Sequence, residues 1–211
     1  MTEKGLAFYF NASACSGCKA CQVACKDKHD LETGVLWRRV YETGSASWSQ
    51  GKEGGWTHQI AVYNLSVACN HCRRPLCLTA CPSQAIRKRR DGIVTIDAKK
   101  CVGCRYCEWI CPYGALQFDH QTGIMSKCHF CYDLIDSGKP PACVTACPLR
   151  ALDFGPADML KKKYSGSAGV YPLPDPSVTL PNLIIQPHAG TGKARRSGAK
   201  ILNREEVDHE K

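Results

Sequence analysis

The chain has 211 residues, of which 16 are cysteines, and a formal net charge of +9 at pH 7. Its length allows a hydrophobic core that does not depend on cross-links, and no apolar run reaches the roughly 18 residues of a transmembrane helix, so we expect no direct membrane span. The opening stretch MTEKGLAFYFNASAC lacks the apolar core and cleavage site of a signal peptide, so we expect no secretory leader and no disulfide framework.

The cysteines form four groups that repeat one spacing pattern along the chain. Groups one and three have the spacing C-x2-C-x2-C-x3-C, group two has C-x2-C-x4-C-x3-C, and group four has eleven residues between its second and third members. A proline follows the fourth cysteine in groups two to four, whereas Lys26 takes that place in group one. In chain order the groups are Cys15, Cys18, Cys21 and Cys25; Cys69, Cys72, Cys77 and Cys81; Cys101, Cys104, Cys107 and Cys111; and Cys128, Cys131, Cys143 and Cys147.

Short strands and turns are predicted between these groups. LAFYF, before group one, and ALDF, after group four, favour strands that meet in one sheet. The stretch AIRKRRDGIVTIDAKK, between groups two and three, predicts a hairpin that turns at Asp91 and Gly92. In the insertion 26–68, VLWRRVYE and HQIAVYNLSVAC favour strands, and the Gly/Ser-rich TGSASWSQGKEGG between them predicts a loop.

The region after Gly155 differs in composition from the cysteine-rich part. PADMLKKKY predicts a short helix with lysines towards its end. VYPLPDPSVTLPNLIIQPHAG is extended and rich in proline, and the polar TGKARRSGAKILNREEVDHEK follows it. We expect this tail to add little to the core and to wrap a partner up to about Pro187.

Disulfides, zinc and iron–sulfur clusters are the alternatives for so many cysteines. A disulfide framework has no reason to repeat C-x2-C-x2-C-x3-C. Zinc held by two C-x2-C pairs would make this a zinc-stapled interaction protein, but Cys107 and Cys111 would then be left over. The run C-x2-C-x2-C-x3-C-P is the bacterial ferredoxin pattern, in which the fourth cysteine ligates the other cluster of a pair. Sixteen cysteines in this pattern predict four [4Fe-4S] clusters.

The positive charge does not predict a nucleic-acid partner. A cluster with four thiolates carries about −2 in its oxidised state, so four clusters contribute about −8. That charge offsets most of the +9 surplus. We therefore expect no nucleic acid among the partners.

Linker lengths predict which groups share clusters. Nineteen residues separate groups two and three, whereas forty-three separate groups one and two. This spacing predicts an inner ferredoxin module at 69–111, formed by groups two and three, and an outer module at 1–25 and 112–155, formed by groups one and four. The ligand sets that follow are Cys15, Cys18, Cys21 and Cys147 for cluster 1; Cys128, Cys131, Cys143 and Cys25 for cluster 2; Cys69, Cys72, Cys77 and Cys111 for cluster 3; and Cys101, Cys104, Cys107 and Cys81 for cluster 4.

The sequence resembles the electron-transfer subunits of membrane-bound molybdopterin oxidoreductases, in particular the anaerobic dimethyl sulfoxide reductase type. The resemblance lies in SGCKACQVACKD, SVACNHCRRPLCLTACPSQAI, DGIVTIDAKKCVGCRYCEWICPYGA, MSKCHFCYD and PACVTACPLRALDFGP. It implies an α+β double bacterial-type (8Fe) ferredoxin fold, here with the insertion 26–68 and the helix and extended tail of 156–211. Nitrate reductase relatives have tryptophan at the second cysteine of group three and a three-iron cluster there. Because this chain has Cys104, we expect four-iron clusters throughout.

The resemblance also implies a function and partners. It implies a subunit of anaerobic respiration that passes electrons from a quinol-oxidising membrane anchor, on the side of group three, to a molybdopterin catalytic subunit, on the side of group one. The acceptor would be dimethyl sulfoxide or a similar S- or N-oxide; polysulfide, thiosulfate, tetrathionate and formate complexes use similar subunits. The chain would lie peripherally on the bacterial cytoplasmic membrane, at the periplasmic face after co-translocation with the catalytic subunit. No G-x-S-x-G, P-loop or G-x-G-x-x-G motif occurs, so we expect no catalytic residue.

Several residues near the cysteines are candidates for supporting roles. Trp37, Trp48 and Trp56 are candidate partner contacts or, for Trp37, core residues. His71 and His129, inside C-x2-C loops, are expected to support ligands rather than bind iron, because the cysteines are already complete. Arg105 and Tyr106 are candidates for tuning or partner contact.

Overall fold

The computed structural model describes residues 5–192 and 198–207. They form a mixed α/β structure of short elements joined by the cysteine loops. The strands are β1 Leu6–Asn11, β2 Arg39–Gln50, β3 Trp56–Val67, β4 Ile86–Lys88, β5 Val94–Ile96, β6 Leu116–Asp119, β7 Ile124–Lys127, β8 Leu152–Pro156, β9 Leu183–Gln186 and β10 Lys200–Ile201. The helices are α1 Ala20–Lys28, α2 Leu76–Thr79, α3 Tyr106–Ile110, α4 Tyr132–Asp136, α5 Ala142–Thr145, α6 Ala157–Lys163 and α7 Arg204–Val207.

The central sheet joins the two ends of the cysteine-rich part. Strand β1 pairs antiparallel with β8, with Phe8 opposite Phe154, so the predicted meeting of LAFYF and ALDF is confirmed. Strand β9 adds to the other edge of β1 in parallel. Phe10 and Ile185 from this sheet are buried to 1% exposure or less in the main core.

Two small hairpins lie between the cysteine groups. Strands β4 and β5 pair antiparallel, and Gly92 in their turn has a φ of 86°, so the predicted hairpin is confirmed. A second hairpin, β6–β7, lies between groups three and four and was not predicted. Each hairpin therefore follows one cysteine group and leads into the next.

The insertion forms one long hairpin, which corrects the predicted loop. Strand β2 continues through TGSASWSQ to Gln50 and pairs antiparallel with β3 along its whole length. The chain reverses only at Gly51–Gly55, where the amide of Gly51 donates to the carbonyl of Gly55 at 2.7 Å. Small and hydroxyl-bearing side chains did not prevent a strand here, because an antiparallel partner satisfies the backbone groups. The far half of the hairpin exposes Trp48 (65%) and Trp56 (64%).

The tail packs on its own chain, so the prediction that it adds little to the core was wrong. That it also wraps a partner up to about Pro187 stays a prediction. The predicted helix of PADMLKKKY is confirmed as α6. Beyond it, β9 extends the central sheet, β10 pairs with β2, and Val207 of α7 is fully buried. Local composition did not reveal this packing, because the apolar residues of the tail are few and their partners lie far away in sequence. Parts of the polar end, at 193–197 and 208–211, lie outside the described residues.

Across the residues that the structure describes, no helix has the length and apolar character needed to cross a membrane.

Candidate metal centres

All sixteen cysteines are free thiols, and the fold gathers them from distant parts of the sequence. Nine are buried, five are partly buried, and only Cys18 and Cys104 are exposed. Each set of neighbouring thiols combines the first three cysteines of one group with the fourth cysteine of another group. The thiols that lie together are Cys15, Cys18, Cys21 and Cys147; Cys25, Cys128, Cys131 and Cys143; Cys69, Cys72, Cys77 and Cys111; and Cys81, Cys101, Cys104 and Cys107.

Two of these sets surround cavities. The third set lines one cavity and the fourth set another, both with almost entirely apolar walls. A single zinc ion would draw its sulfurs to about 2.3 Å from the metal. No three described Cys, His, Asp or Glu side chains are close enough together to hold one metal ion. Four thiols that surround a cavity without converging on one point fit a group larger than one ion, as a [4Fe-4S] cluster is.

Groups one and three use the same local geometry. The residue before the second cysteine is a glycine with a left-handed backbone, with φ of 76° at Gly17 and 67° at Gly103. The residue after it, Lys19 or Arg105, is also left-handed, with φ of 60° and 62°, and begins the helix that carries the third cysteine. Successive amides in such turns point into one concavity, which favours a bound anion.

The fourth cysteines of groups two to four also share a geometry. In each, the chain after the proline turns back and an alanine four residues on donates its amide N–H to the cysteine sulfur. The Ala85 amide lies 3.3 Å from Cys81 Sγ and the Ala151 amide 3.2 Å from Cys147 Sγ, and Ala115 donates to Cys111. Hydrogen bonds to sulfur stabilise thiolates and tune cluster potentials.

Group one departs from this pattern because Cys25 lies inside α1. Lys26 stands where the other groups have proline, so the helix continues to Lys28 and no turn forms after the cysteine. The backbone N–H that reaches the sulfur of Cys25 comes instead from Arg38, on the way into β2. The missing proline thus changes the source of the hydrogen bond and leaves the thiol in place.

Burial makes these cysteines unfavourable as isolated thiolates. It raises the pKa of Cys25, Cys77 and Cys107 to about 12 and that of Cys72 to about 11. Burial also acts to raise the pKa of Cys81, but hydrogen bonds from Ser83 and from backbone amides hold it below its ordinary value. A set of buried thiols releases its protons when a metal cation binds to the sulfurs. Iron would supply that positive charge.

Buried cations near the thiols were missed by the sequence analysis. Arg38, Arg39 and Lys127 are each 3% exposed, and none has a carboxylate partner among the described residues. Lys127 instead donates to the backbone carbonyls of Val94 and Cys128, and Arg39 donates to the Tyr113 carbonyl at 2.7 Å. Two adjacent arginines inside VLWRRVYE were the available signal, since neighbouring residues of a strand face opposite sides.

The supporting residues named from the sequence have distinct environments. His71 is 1% exposed and accepts the Val94 amide at its Nδ1. The ring of His129 makes edge-to-face contacts with the rings of His29 and Trp37. Arg105 is ion-paired with Glu108 at 2.7 Å, so its charge is largely offset.

Tyr106 is half-exposed beside the exposed Trp109. Trp37 donates to Ser126 and is packed against the core, which confirms the packing alternative for this tryptophan.

Comparison with known proteins agrees with this geometry. Residues 60–157 match the family of the 4Fe-4S dicluster domain, which places the chain in the class of iron–sulfur proteins. The B subunit of anaerobic dimethyl sulfoxide reductase from Escherichia coli (strain K12) is 46% identical over 200 residues, covering 95% of this chain and 97% of the relative.

The corresponding B subunit of Haemophilus influenzae is 48% identical over 181 residues, covering 86% and 88%. A thiosulfate reductase electron transfer subunit of Salmonella typhi is 37% identical over 159 residues, covering 74% and 79%. The protein belongs to the family of anaerobic dimethyl sulfoxide reductase B subunits.

Proposed function

We propose that this chain relays electrons through four [4Fe-4S] clusters, from a quinol-oxidising membrane anchor subunit to a molybdopterin catalytic subunit that reduces dimethyl sulfoxide or a similar S- or N-oxide. The observation that carries the proposal is the gathering of sixteen thiols into four neighbouring sets of four. In this role the chain is a non-catalytic electron-transfer subunit of an oxidoreductase complex. When bound, each cluster supplies a site that gains or loses one electron.

The proposed ligand sets cross between the groups. The fourth cysteine of each group would complete the set of its partner group, as the proximity of the thiols supports. The sets are Cys15, Cys18, Cys21 and Cys147; Cys128, Cys131, Cys143 and Cys25; Cys69, Cys72, Cys77 and Cys111; and Cys101, Cys104, Cys107 and Cys81. This arrangement makes two interlocked ferredoxin modules, one formed by groups two and three and one by groups one and four.

The sets follow one another as a relay requires. Cys21 of the first set lies close enough to Cys143 of the second for their sulfurs to interact electrostatically. The same holds for Cys128 of the second set and Cys69 of the third. Cys77 of the third set and Cys107 of the fourth belong to one apolar cluster. These contacts support a relay in the order first, second, third and fourth set.

The two exposed thiols mark the two ends of the relay. Cys18 belongs to the first set and Cys104 to the fourth, while no cysteine of the two middle sets is exposed. Exposed ligands allow a redox partner to approach the terminal clusters, and burial of the middle sets excludes solvent from them. By family resemblance, we assign the first end to the catalytic subunit and the fourth end to the membrane anchor.

The proposed location and remaining contacts follow from these partners. The chain would lie peripherally on the cytoplasmic membrane within the complex, at the periplasmic face after co-translocation with the catalytic subunit. The insertion would contact another subunit, since Trp48 and Trp56 are about two-thirds exposed on one face of its hairpin. The similarity to a thiosulfate reductase subunit supports a second candidate, the same relay in a complex for a different sulfur substrate.

Metal and sulfide analysis followed by a redox assay tests the proposal. Anaerobically purified full-length chain should contain about 16 iron and about 16 sulfide per molecule and should be brown. The chain co-purified with its partner subunits should be reduced by a quinol analogue, seen as bleaching near about 400 nm, and reoxidised by dimethyl sulfoxide. Reoxidation by thiosulfate alone would favour the second candidate. Zinc with hardly any iron or sulfide would overturn the proposal in favour of a zinc-stapled protein.

A further inference from the structure

Arg38 is a buried cation with no carboxylate counter-charge among the residues that the structure describes. Its side chain is 3% exposed, and no carboxylate among the described residues pairs with it. Its Nη1 donates to the hydroxyl of Ser66 at 3.1 Å, and its guanidinium lies 4.7 Å from the ring centroid of Phe8. Its Nε and Nη2 have no hydrogen-bond partner in the described part of the chain. A guanidinium does not lose its proton, so this charge needs an anion nearby.

The contacts of Arg38 reach thiols of two different sets. Ser66, which accepts from Arg38 Nη1, lies with its hydroxyl 3.3 Å from Cys21 Sγ of the first set. The backbone N–H of Arg38 donates to the sulfur of Cys25, which belongs to the second set. One residue thus contacts the second set directly and the first set through one hydroxyl.

Electrostatics agrees with this placement. Burial acts to lower the pKa of Arg38, yet the neighbouring sulfurs of Cys143, Cys21, Cys128 and Cys25 raise it above its ordinary value. In return, the Arg38 charge acts to lower the pKa of Cys21 and Cys25. Charges in a low-dielectric interior interact more strongly than charges in water.

We propose that Arg38 is the shared counter-charge of the first two clusters and holds both of their reduction potentials above the values that their buried thiolates alone would set. Reduction adds one negative charge to a site, and a fixed positive charge beside it favours that step. Arg38 therefore acts as a positioning and tuning residue at the end of the relay assigned to the catalytic subunit. The inference rests on the proposed four clusters and goes beyond them by naming what sets two of their potentials.

Arg105 differs from Arg38 because a carboxylate neutralises its charge. Its charge is offset by Glu108 at 2.7 Å, whereas that of Arg38 is not offset by any described carboxylate. Arg87 is an exposed arginine of β4 and serves as the surface control. Of these three arginines, we expect only Arg38, which is buried and has no carboxylate partner, to change the reduction potentials of the clusters strongly.

Redox titration of the anaerobically purified full-length chain, followed by electron paramagnetic resonance, tests the inference. In Arg38→Gln, we expect two of the four midpoints to fall, each by about tenfold in the equilibrium constant of reduction, which is about 59 mV for one electron. The other two midpoints should stay within error. Arg38→Lys, which keeps the charge, should lie closer to the native chain, and Arg87→Gln should match it.

Ser66→Ala gives an independent test that keeps Arg38 in place. It removes the hydroxyl between Arg38 and Cys21, so we expect a smaller fall in one midpoint only. If Arg38→Gln takes up fewer irons than the native chain, the midpoints of Ser66→Ala and Arg38→Lys test the inference in its place. Unmoved midpoints in fully loaded Arg38→Gln, or equal shifts in Arg38→Gln and Arg38→Lys, would overturn the inference. Iron and sulfide content of the native chain is measured alongside, and a shortfall there would count against the four clusters instead.

Discussion

The ring of Phe8 stacks on the ring of Phe130, with 4.0 Å between their centroids and 15° between their planes. Phe8 belongs to β1, before group one, and Phe130 lies between the first two cysteines of group four. The contact therefore joins the two groups that are farthest apart in the sequence. It also places the aromatic pair beside Arg38, whose guanidinium lies over Phe8.

Truncation of this contact should destabilise the protein. Phe130 is 1% exposed, and we expect Phe130→Ala to lower the free energy of unfolding by about 3–5 kcal/mol because it leaves a cavity in the core. Anaerobic urea unfolding, followed by tryptophan fluorescence, measures the change. Trp48→Ala, at a residue that is 65% exposed, should change it by less than about 0.5 kcal/mol. Equal effects of the two substitutions would show that this packing is unimportant.

The crossed ligand sets predict which cysteine substitutions share a phenotype. We expect Cys111→Ser and Cys69→Ser to remove the same cluster signal, and Cys107→Ser to remove a different one, because Cys111 lies with group two and not with its own group. Electron paramagnetic resonance of the reduced chain distinguishes the signals. Iron content should fall by about a quarter in each variant if the other clusters survive. Loss of one and the same signal in Cys111→Ser and Cys107→Ser would refute the crossover.

A glycine in the loop of group three should resist substitution. Gly103 has a φ of 67°, and a Cβ at this position would collide with the backbone carbonyl of Gly123 in the β6–β7 turn. We expect Gly103→Ala to lower stability by more than about 2 kcal/mol and to reduce iron occupancy. Gly138→Ala is the matched control, since its φ is 72° but nothing lies within 4 Å of the added Cβ. Its cost should be about 1 kcal/mol, from backbone strain alone; if the two substitutions cost the same, the collision has no effect.

The carboxylate of Asp153 should stabilise the junction of β8 and α6 in a pH-dependent way. It accepts from the Tyr164 hydroxyl at 2.7 Å and from Lys163 Nζ at 2.9 Å. Burial acts to raise the pKa of Asp153, but these donors hold it below its ordinary value. We expect Asp153→Asn to lower the free energy of unfolding by about 1 kcal/mol at pH 7.

The direction of the pH effect follows from the lowered pKa of Asp153. The contribution is fully present above the unfolded-state pKa of about 3.9 and is lost as the pH falls through the lower folded-state pKa. Urea unfolding at pH 7, 5, 4 and 3 should therefore show the two proteins converging only below about pH 4. Tyr164→Phe, which removes one donor, should show a smaller difference at pH 7. Convergence already between pH 7 and 5 would contradict the assignment to Asp153.

The positions of the thiols and the short elements beside them could be predicted from the sequence, because their causes are local. A glycine before the second cysteine and a proline after the fourth act on their own backbone dihedrals, and the spacing repeats visibly four times. The same holds for the β4–β5 hairpin at Asp91 and Gly92 and for helix α6. The family follows from the same residues, since the spacing itself is the shared feature.

Tertiary structure alone decided the placement of residues whose surroundings come from far along the chain. The tail looked unsuited to a core, yet Ile185 is fully buried against β1, at the opposite end of the chain. Arg38 looked like an ordinary charge in a strand, and only its position between Cys21 and Cys25 makes it a counter-charge. Burial and electrostatic interaction depend on which segments meet in space, and a local spacing pattern does not predict those long-range contacts.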